Sequence, residues 1–104
     1  MNKKYPRNLT EAEFMAAVRR EYRHAKKLHP NWPRDIVHAA AIVNEEAGGL
    51  IRAAVQNYYG DEATQPEVIT EAVQTAAMAM RLAVNCTLLW PPTRAERRKM
   101  RIDI

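Results

Sequence analysis

Apolar residues recur at helical spacing along most of this chain, and one capping motif occurs three times. Thr10 is followed by Glu13, an arrangement in which the threonine oxygen and the glutamate satisfy free backbone donors at a helix start. The same pattern recurs at Thr64–Glu67 and Thr93–Glu96. No segment shows the alternation of a half-buried strand. The chain is therefore predicted to be all-α.

The caps and the apolar spacing predict four helices. The first starts after Thr10, with Leu9 and Phe14 placed as a hydrophobic staple, and stops before Pro30. The second runs from about Asp35 to Tyr59, with Gly60 at its C-terminal cap. Its predicted core stripe is Ile36, Ala40, Val43, Ala47, Leu50, Ala54 and Tyr58, and its predicted solvent face carries His38, Glu45, Arg52 and Gln56.

The third predicted helix runs from about Gln65 to Leu88 and ends before Trp90–Pro92. It is apolar nearly all round. Its predicted main stripe is Ile69, Val73, Ala76, Met80, Ala83 and Val84. A short basic helix is predicted from Arg94 to about Met100.

With 104 residues the chain forms a single domain, with residues 1–9 as an N-terminal arm and residues 91–104 as a basic C-terminal tail. The two long helices should be antiparallel, each roughly 36 Å long. The shorter first helix cannot cover such a hairpin when one of its members is apolar on all sides. We therefore expect a homodimer or homotetramer that completes a helical bundle.

Composition favours an ordinary globular protein, with 47% apolar and 27% charged residues. The single cysteine, Cys86, excludes an internal disulfide and fits a reducing compartment. No apolar segment follows the basic N-terminus, and polar residues interrupt the most apolar window, residues 72–89. We expect a cytoplasmic protein that does not enter a membrane.

Charge is distributed unevenly along the chain. Residues 1–34 carry nine Lys and Arg against three acids, and residues 91–104 carry five against two. Residues 35–90 carry two against seven. The basic ends are either ordinary solvated surfaces or arms that attract phosphate-bearing ligands to an acidic centre.

Glu46 is an unusual residue for its position, because a helical projection places it at the margin of the apolar stripe of the second helix. A carboxylate at such a margin needs a cation, a donor or a proton, unless it reaches around the edge to water or an arginine. Gly48 and Gly49 follow inside the helix, where glycine is costly. Their structural interpretation is close approach of a neighbouring helix.

On the third helix, Glu71 and Gln74 lie three residues apart and share a face with Met78 and Asn85. This face is either solvated or part of a site.

The segment Asn44–Leu50 resembles the E-E-x-G-E-L segment of MazG-like all-α nucleoside triphosphate (NTP) pyrophosphatases, most closely their short, phage-type members. Glu71–Gln74 is similar to the E-x-x-D motif of their next helix, and twenty-one residues lie between Gly49 and Glu71. The resemblance covers about residues 35–86. Gly49 stands where the family has a second glutamate, and Gln74 where it has an aspartate.

The resemblance implies an Mg²⁺-dependent hydrolysis of an NTP or dNTP to the monophosphate and pyrophosphate. It implies Glu46 and Glu71 as catalytic residues and metal ligands, with Gln74 as a further, neutral ligand. We also expect Trp32, Arg81 and Asn85 to bind the substrate, although an aromatic residue such as Trp32 is also typical of a bundle-end anchor.

Two other hypotheses remain open. The departures at Gly49 and Gln74 fit a relative that has lost catalysis and binds a nucleotide or a protein partner. The basic ends, with Arg94, Arg97, Arg98, Lys99 and Arg101, fit nucleic-acid binding through phosphate contacts.

Overall fold

The computed structural model describes residues 5–33, 35–60 and 65–85, together with Arg94, Ala95 and Arg98. It contains the helices α1 (Glu11–Leu28), α2 (Ile36–Tyr58) and α3 (Gln65–Asn85), and no strand occurs among the described residues. The predicted all-α fold is confirmed.

Local interactions set the start of α1 as the sequence predicts. The Thr10 hydroxyl accepts a hydrogen bond from the Glu13 backbone N–H (3.1 Å), and the Glu13 carboxylate accepts one from the Thr10 N–H (2.9 Å). Arg7 binds the same carboxylate with two nitrogens, at 2.9 and 2.8 Å. Leu9 and Phe14 both pack against the core cluster, as a hydrophobic staple does. The capping box is confirmed.

The ends of α2 also agree with the prediction to within a residue. Asp35 is the N-cap, and its carboxylate accepts a hydrogen bond from the Val37 N–H at 3.0 Å. After the C-cap Tyr59, Gly60 adopts a φ of +75°, a conformation that side chains with a Cβ rarely take. The glycine thus ends the helix.

The three helices form an α2–α3 hairpin with α1 packed on α3. Consecutive helices joined by so short a connection and in contact along their lengths run antiparallel. Ala17 packs with Val73 near the start of α1 and α3, and Arg81 reaches the last residues of α1 near the end of both. The two helices are therefore parallel. Among the described residues no Cα atom of α1 lies within 8 Å of a Cα atom of α2.

The buried faces differ from the predicted stripes. On α2 the buried residues are Ala39 and Ala53, whereas Ala40, Ala54 and Tyr58 of the predicted stripe are exposed. Ile36, Val43, Ala47 and Leu50 of the predicted stripe are half-buried, so the buried face is offset from the stripe by about one residue and the prediction is confirmed in part. Gln56, predicted to face solvent, is half-buried.

On α3 the predicted stripe is also shifted. The buried line runs through Val73, Ala77 and Arg81, while Ala83 and Val84 are exposed. Contacts with both α1 and α2 define this line. Val73 of the predicted stripe is buried and Ile69, Ala76 and Met80 are half-buried, so the prediction is confirmed in part.

The core within one chain is small. The buried apolar residues among those described are Tyr5, Ala17, Tyr22, Ala25, Ala39, Ala53, Val73 and Ala77. Tyr5 belongs to the N-terminal arm and packs with Ala17 and Val73. Apart from two tyrosines and one valine, this core consists of alanine.

Several predictions lie outside the described residues. They are the Thr64 end of the second capping box, the chain from Cys86 to Thr93, and most of the tail to Ile104. Within the tail, Arg94, Ala95 and Arg98 are helical and exposed, in agreement with the short helix predicted there. None of the described helices is both long and apolar enough to cross a lipid bilayer.

Candidate functional site

Glu46 occupies the inner face of α2. It lies midway between Ala39 and Ala53, the two buried residues of this helix, and is itself half-buried. Burial raises the pKa of the Glu46 carboxyl, and the nearby carboxylates of Glu71, Glu21 and Glu45 raise it further. The carboxyl group is thus held among like charges in a partly dry environment.

The Glu71 carboxylate of α3 lies directly against Gly49 of α2. A Cβ built on Gly49 would be 2.8 Å from Glu71 Oε1 and 3.5 Å from its Cδ. Glycine therefore leaves the space in which this carboxylate sits. The predicted close approach at Gly49 is present, but a side chain makes it rather than the backbone of the neighbouring helix.

Glu21 of α1 is a third acidic residue near this point, and the sequence analysis did not identify it. Its charge contributes to the raised pKa of Glu46. Glu21 is half-buried and lies one turn from each of the buried residues Ala17 and Ala25. The same signal that singled out Glu46, a carboxylate on an apolar helix face, was available for Glu21.

The three helices thus bring together an acidic centre, which we define as Glu21, Glu46 and Glu71. Among the residues that the structure describes, no lysine, arginine or histidine forms a salt bridge with any of them. In the same part of the chain, no group of three or more His, Cys, Asp or Glu side chains is arranged closely enough to hold a metal ion. Gln74 is half-buried one turn after Glu71.

This donor set fits Mg²⁺ only in part. Glu46 and Glu71 provide two carboxylates without a competing cation, and Mg²⁺ commonly uses one or two carboxylates, with water and substrate phosphates for the rest. Oxygen atoms from a ligand would therefore have to complete the coordination.

Basic residues of α1 surround the outer side of Glu21. They line an open groove of about 400 Å³ formed by Tyr5, Ala17, Arg20, Glu21, Arg23 and His24. Three positively chargeable side chains therefore lie beside one residue of the acidic centre. The groove thus combines three positively chargeable side chains with one carboxylate, and Glu46 and Glu71 do not line it.

Trp32, Arg81 and Asn85 form a second cluster near the end of α3. Arg81 is only 3% exposed, and its guanidinium carbon lies 4.8 Å from the centre of the Trp32 ring. Asn85 is exposed and donates a hydrogen bond from Nδ2 to the Arg81 carbonyl at 2.8 Å. Trp32 and Arg81 are therefore in contact, while Asn85 bonds, among the described residues, only to the Arg81 backbone one turn earlier on the same helix.

Much of the Arg81 guanidinium is used within the chain. One terminal nitrogen donates to the Ala25 carbonyl at 3.3 Å and the other donates to the His29 carbonyl, while the buried Nε has no hydrogen-bond partner among the described residues. These bonds tie the end of α1 to α3. Ten residues, or roughly 15 Å of helix, separate Arg81 from Glu71.

Comparison with protein-family models, with curated proteins and with solved structures finds no match to this chain.

Proposed function

We propose that this protein is a MazG-like, metal-dependent nucleotide pyrophosphohydrolase of weakened activity, which converts an NTP or dNTP to the monophosphate and pyrophosphate. The observation that supports the proposal is the acidic centre. Glu46 and Glu71, the residues that match the two retained glutamates of the family pattern, lie close enough for Glu71 to raise the pKa of Glu46. Two helices contribute them from facing sides.

In this mechanism Glu46 and Glu71 would hold Mg²⁺, with the neutral side-chain oxygen of Gln74 as a further donor. The ion, when bound, polarises the phosphoryl group and activates water for attack at the α-phosphorus. Negative charge at the centre disfavours the approach of a bare triphosphate, so the carboxylates select for the metal-complexed form. The basic groove beside Glu21 attracts the remaining phosphate charge.

Weakened activity follows from the two departures from the family pattern. Position 49 offers no side chain, and the Glu71 carboxylate fills the space where one would begin. Gln74 cannot supply the negative charge of an aspartate. With two fewer negative charges than the family pattern has, the centre binds a divalent cation less tightly and depends more on oxygen atoms of the substrate to complete the coordination.

The test is release of pyrophosphate from a complete NTP and dNTP panel with Mg²⁺ or Mn²⁺. We expect turnover of at least one nucleotide, and its loss in Glu46→Gln and in Glu71→Gln. Glu11→Gln is the matched control, because Glu11 is exposed in the first turn of α1 and should leave turnover unchanged. An intact panel after incubation with folded wild-type protein would exclude the enzyme.

A catalytically inactive nucleotide-binding or protein-interaction module is the second candidate. The observation in its favour is that no described group of three acidic or metal-binding side chains is close enough to hold a metal ion. Isothermal titration calorimetry separates the candidates. Nucleotide binding without turnover supports the inactive binding module, and neither binding nor turnover leaves a protein-interaction role.

The proposal also includes self-association into a homodimer or homotetramer in the cytoplasm. The alanine-dominated core formed by the described residues supports it, since so little buried apolar volume stabilises a domain of this size poorly. Sedimentation equilibrium of the purified protein tests the oligomer independently of catalysis. A monomer at all concentrations would contradict it.

A further inference from the structure

The outward face of α2 carries a mainly apolar stripe, interrupted by Asn44, that the described residues do not cover. Its members alternate at spacings of four and three residues, which is the spacing of a coiled-coil seam. We define this outer stripe as Val37, Ala41, Asn44, Gly48, Ile51, Val55 and Tyr58. All seven are exposed, and Val37, Ile51 and Tyr58 are 73%, 64% and 81% exposed. A surface of this kind on a small protein indicates an interface.

The other two helices lie elsewhere. The opposite face of α2 packs on α3, and α1 packs on α3, with no Cα atom of α1 within 8 Å of a Cα atom of α2 in the described chain. A row of alanines, Ala40, Ala47 and Ala54, runs beside the outer stripe at seven-residue intervals. Such small side chains allow another helix to approach closely.

We propose that the outer stripe packs antiparallel against the outer stripe of a second copy of this chain, about a two-fold axis. The proposal rests on the oligomer named above and specifies its surface and register. Gly48 then lies opposite Ile51 of the second copy, and Ala41 opposite Tyr58 of the second copy. Each of these layers pairs a small residue with a large one, as seams of packed helices require.

Charge complementarity selects this register. The positions that flank the outer stripe on its polar side are His38, Glu45, Arg52 and Tyr59. In an antiparallel pair these positions face their equivalents, so the proposed register places Glu45 against Arg52 of the second copy, twice over by symmetry. A shift of one heptad in either direction would place Glu45 against Glu45 or Arg52 against Arg52.

Neither residue has an oppositely charged partner within the described chain. Glu45 and Arg52 are exposed and form no salt bridge among the residues that the structure describes. In a parallel pair the polar flank would instead face the alanine row, so that Glu45 and Arg52 would have no charged partner. The charges therefore favour both the antiparallel direction and a second copy as the occupant.

Gly48 supports the same arrangement from an independent observation. A Cβ at Gly48 would meet no atom within 4 Å, so packing inside the chain does not require glycine there. Glycine inside a helix is nevertheless unfavourable relative to alanine. Contact with the large Ile51 side chain of a second copy accounts for it.

The test is charge reversal, with association measured by sedimentation equilibrium and native mass spectrometry. Glu45→Arg alone and Arg52→Glu alone should each weaken self-association at least about ten-fold, because two like-charge contacts replace two attractive ones. Mixed together, the two variants should form a heterodimer of near wild-type affinity. The double variant should form a homodimer again. Recovery on mixing is specific to contacts between copies.

Arg19→Glu on α1 is the control, since it reverses an exposed charge away from the outer stripe and should leave association unchanged. Far-ultraviolet circular dichroism establishes that each variant is folded. Oligomers of both single variants with wild-type affinity would overturn this interface while leaving the oligomer itself standing. If mixing the two single variants does not restore association, the antiparallel register is overturned. If the wild-type protein is monomeric, both the register and the oligomer are overturned, and this outcome is independent of the hydrolysis assay.

Discussion

Replacing Gly49 by alanine should stabilise the protein and displace the carboxylate of Glu71. The new Cβ would lie 2.8 Å from Glu71 Oε1, whereas even close carbon–oxygen contacts are about 3.3 Å or longer, so the carboxylate must move by about half an ångström or more. The displaced atom is the end of a flexible side chain, and its movement costs little. Gly49 has no positive φ, so alanine fits the backbone and gains about 1 kcal/mol of helix stability.

The direction of the displacement follows from charge. Movement of Glu71 toward Glu46 would bring two carboxylates closer, whereas movement toward solvent hydrates the one that moves. Glu71 should therefore move outward, and the pKa of Glu46 should fall toward its ordinary value. It should remain raised, because burial is the larger cause of the shift. Hydrolysis should decrease as the two carboxylates separate.

The assays are urea unfolding, a carbon-13 NMR titration of the Glu46 carboxyl, and pyrophosphate release. Gly48→Ala is the matched control, since its Cβ meets nothing within the chain and should leave the Glu46 titration unchanged. Because Gly48 belongs to the outer stripe, unfolding of the two variants is compared at concentrations where the chain is monomeric. If the Glu46 carboxyl of Gly49→Ala titrates as it does in the wild-type protein, or if that variant is less stable than wild type, the contact between Glu71 and position 49 is refuted.

Three further predictions concern individual side chains. Glu46→Gln should raise the free energy of unfolding at neutral pH, because the raised folded-state pKa of Glu46 makes wild-type stability fall as pH rises through that pKa. The gain should vanish below the ordinary glutamate pKa of 4.5. Equal urea midpoints of variant and wild type at neutral pH would contradict this. Arg7 and the Thr10 backbone hold the pKa of Glu13 at about 2, so wild-type stability should fall as the pH drops from 4.5 toward 2, and Glu13→Gln should lack this dependence in acid titrations followed by circular dichroism. Arg81→Ala should lower the free energy of unfolding by about 3 kcal/mol, because it leaves a cavity and removes hydrogen bonds. Amide hydrogen exchange at the end of α1 should become faster, and unchanged exchange there would contradict the role of Arg81 in holding α1 against α3.

The helix boundaries could be predicted closely from the sequence because local contacts determine them. The Thr10–Glu13 capping box, the Asp35 N-cap and the positive φ of Gly60 each involve residues within three positions along the chain. Such signals do not depend on how the helices pack. For the same reason they carry no information about which side of a helix is buried.

The candidate site could be predicted only in part. A carboxylate at an apolar helix margin indicated Glu46, and its spacing from Glu71 followed the resemblance. The structure adds Glu21, whose position depends on α1 packing parallel to α3. That packing joins residues more than fifty positions apart, as the contact between Ala17 and Val73 illustrates. No periodicity within a single helix reports it.

The error on α2 has a physical cause that bears on the oligomer. This helix has two apolar faces. The predicted stripe includes the half-buried Ile36, Val43 and Leu50 but misses the buried Ala39 and Ala53, which lie on the side of Glu46. Small residues allow the two backbones to approach, and they leave room for the Glu46 and Glu71 carboxylates between the helices. Ile51, Val55 and Tyr58 face outward on the other side of the helix. The acidic centre and the proposed self-association therefore use opposite faces of α2, and the exposed apolar side chains of the outer stripe are the ones that a second copy would cover.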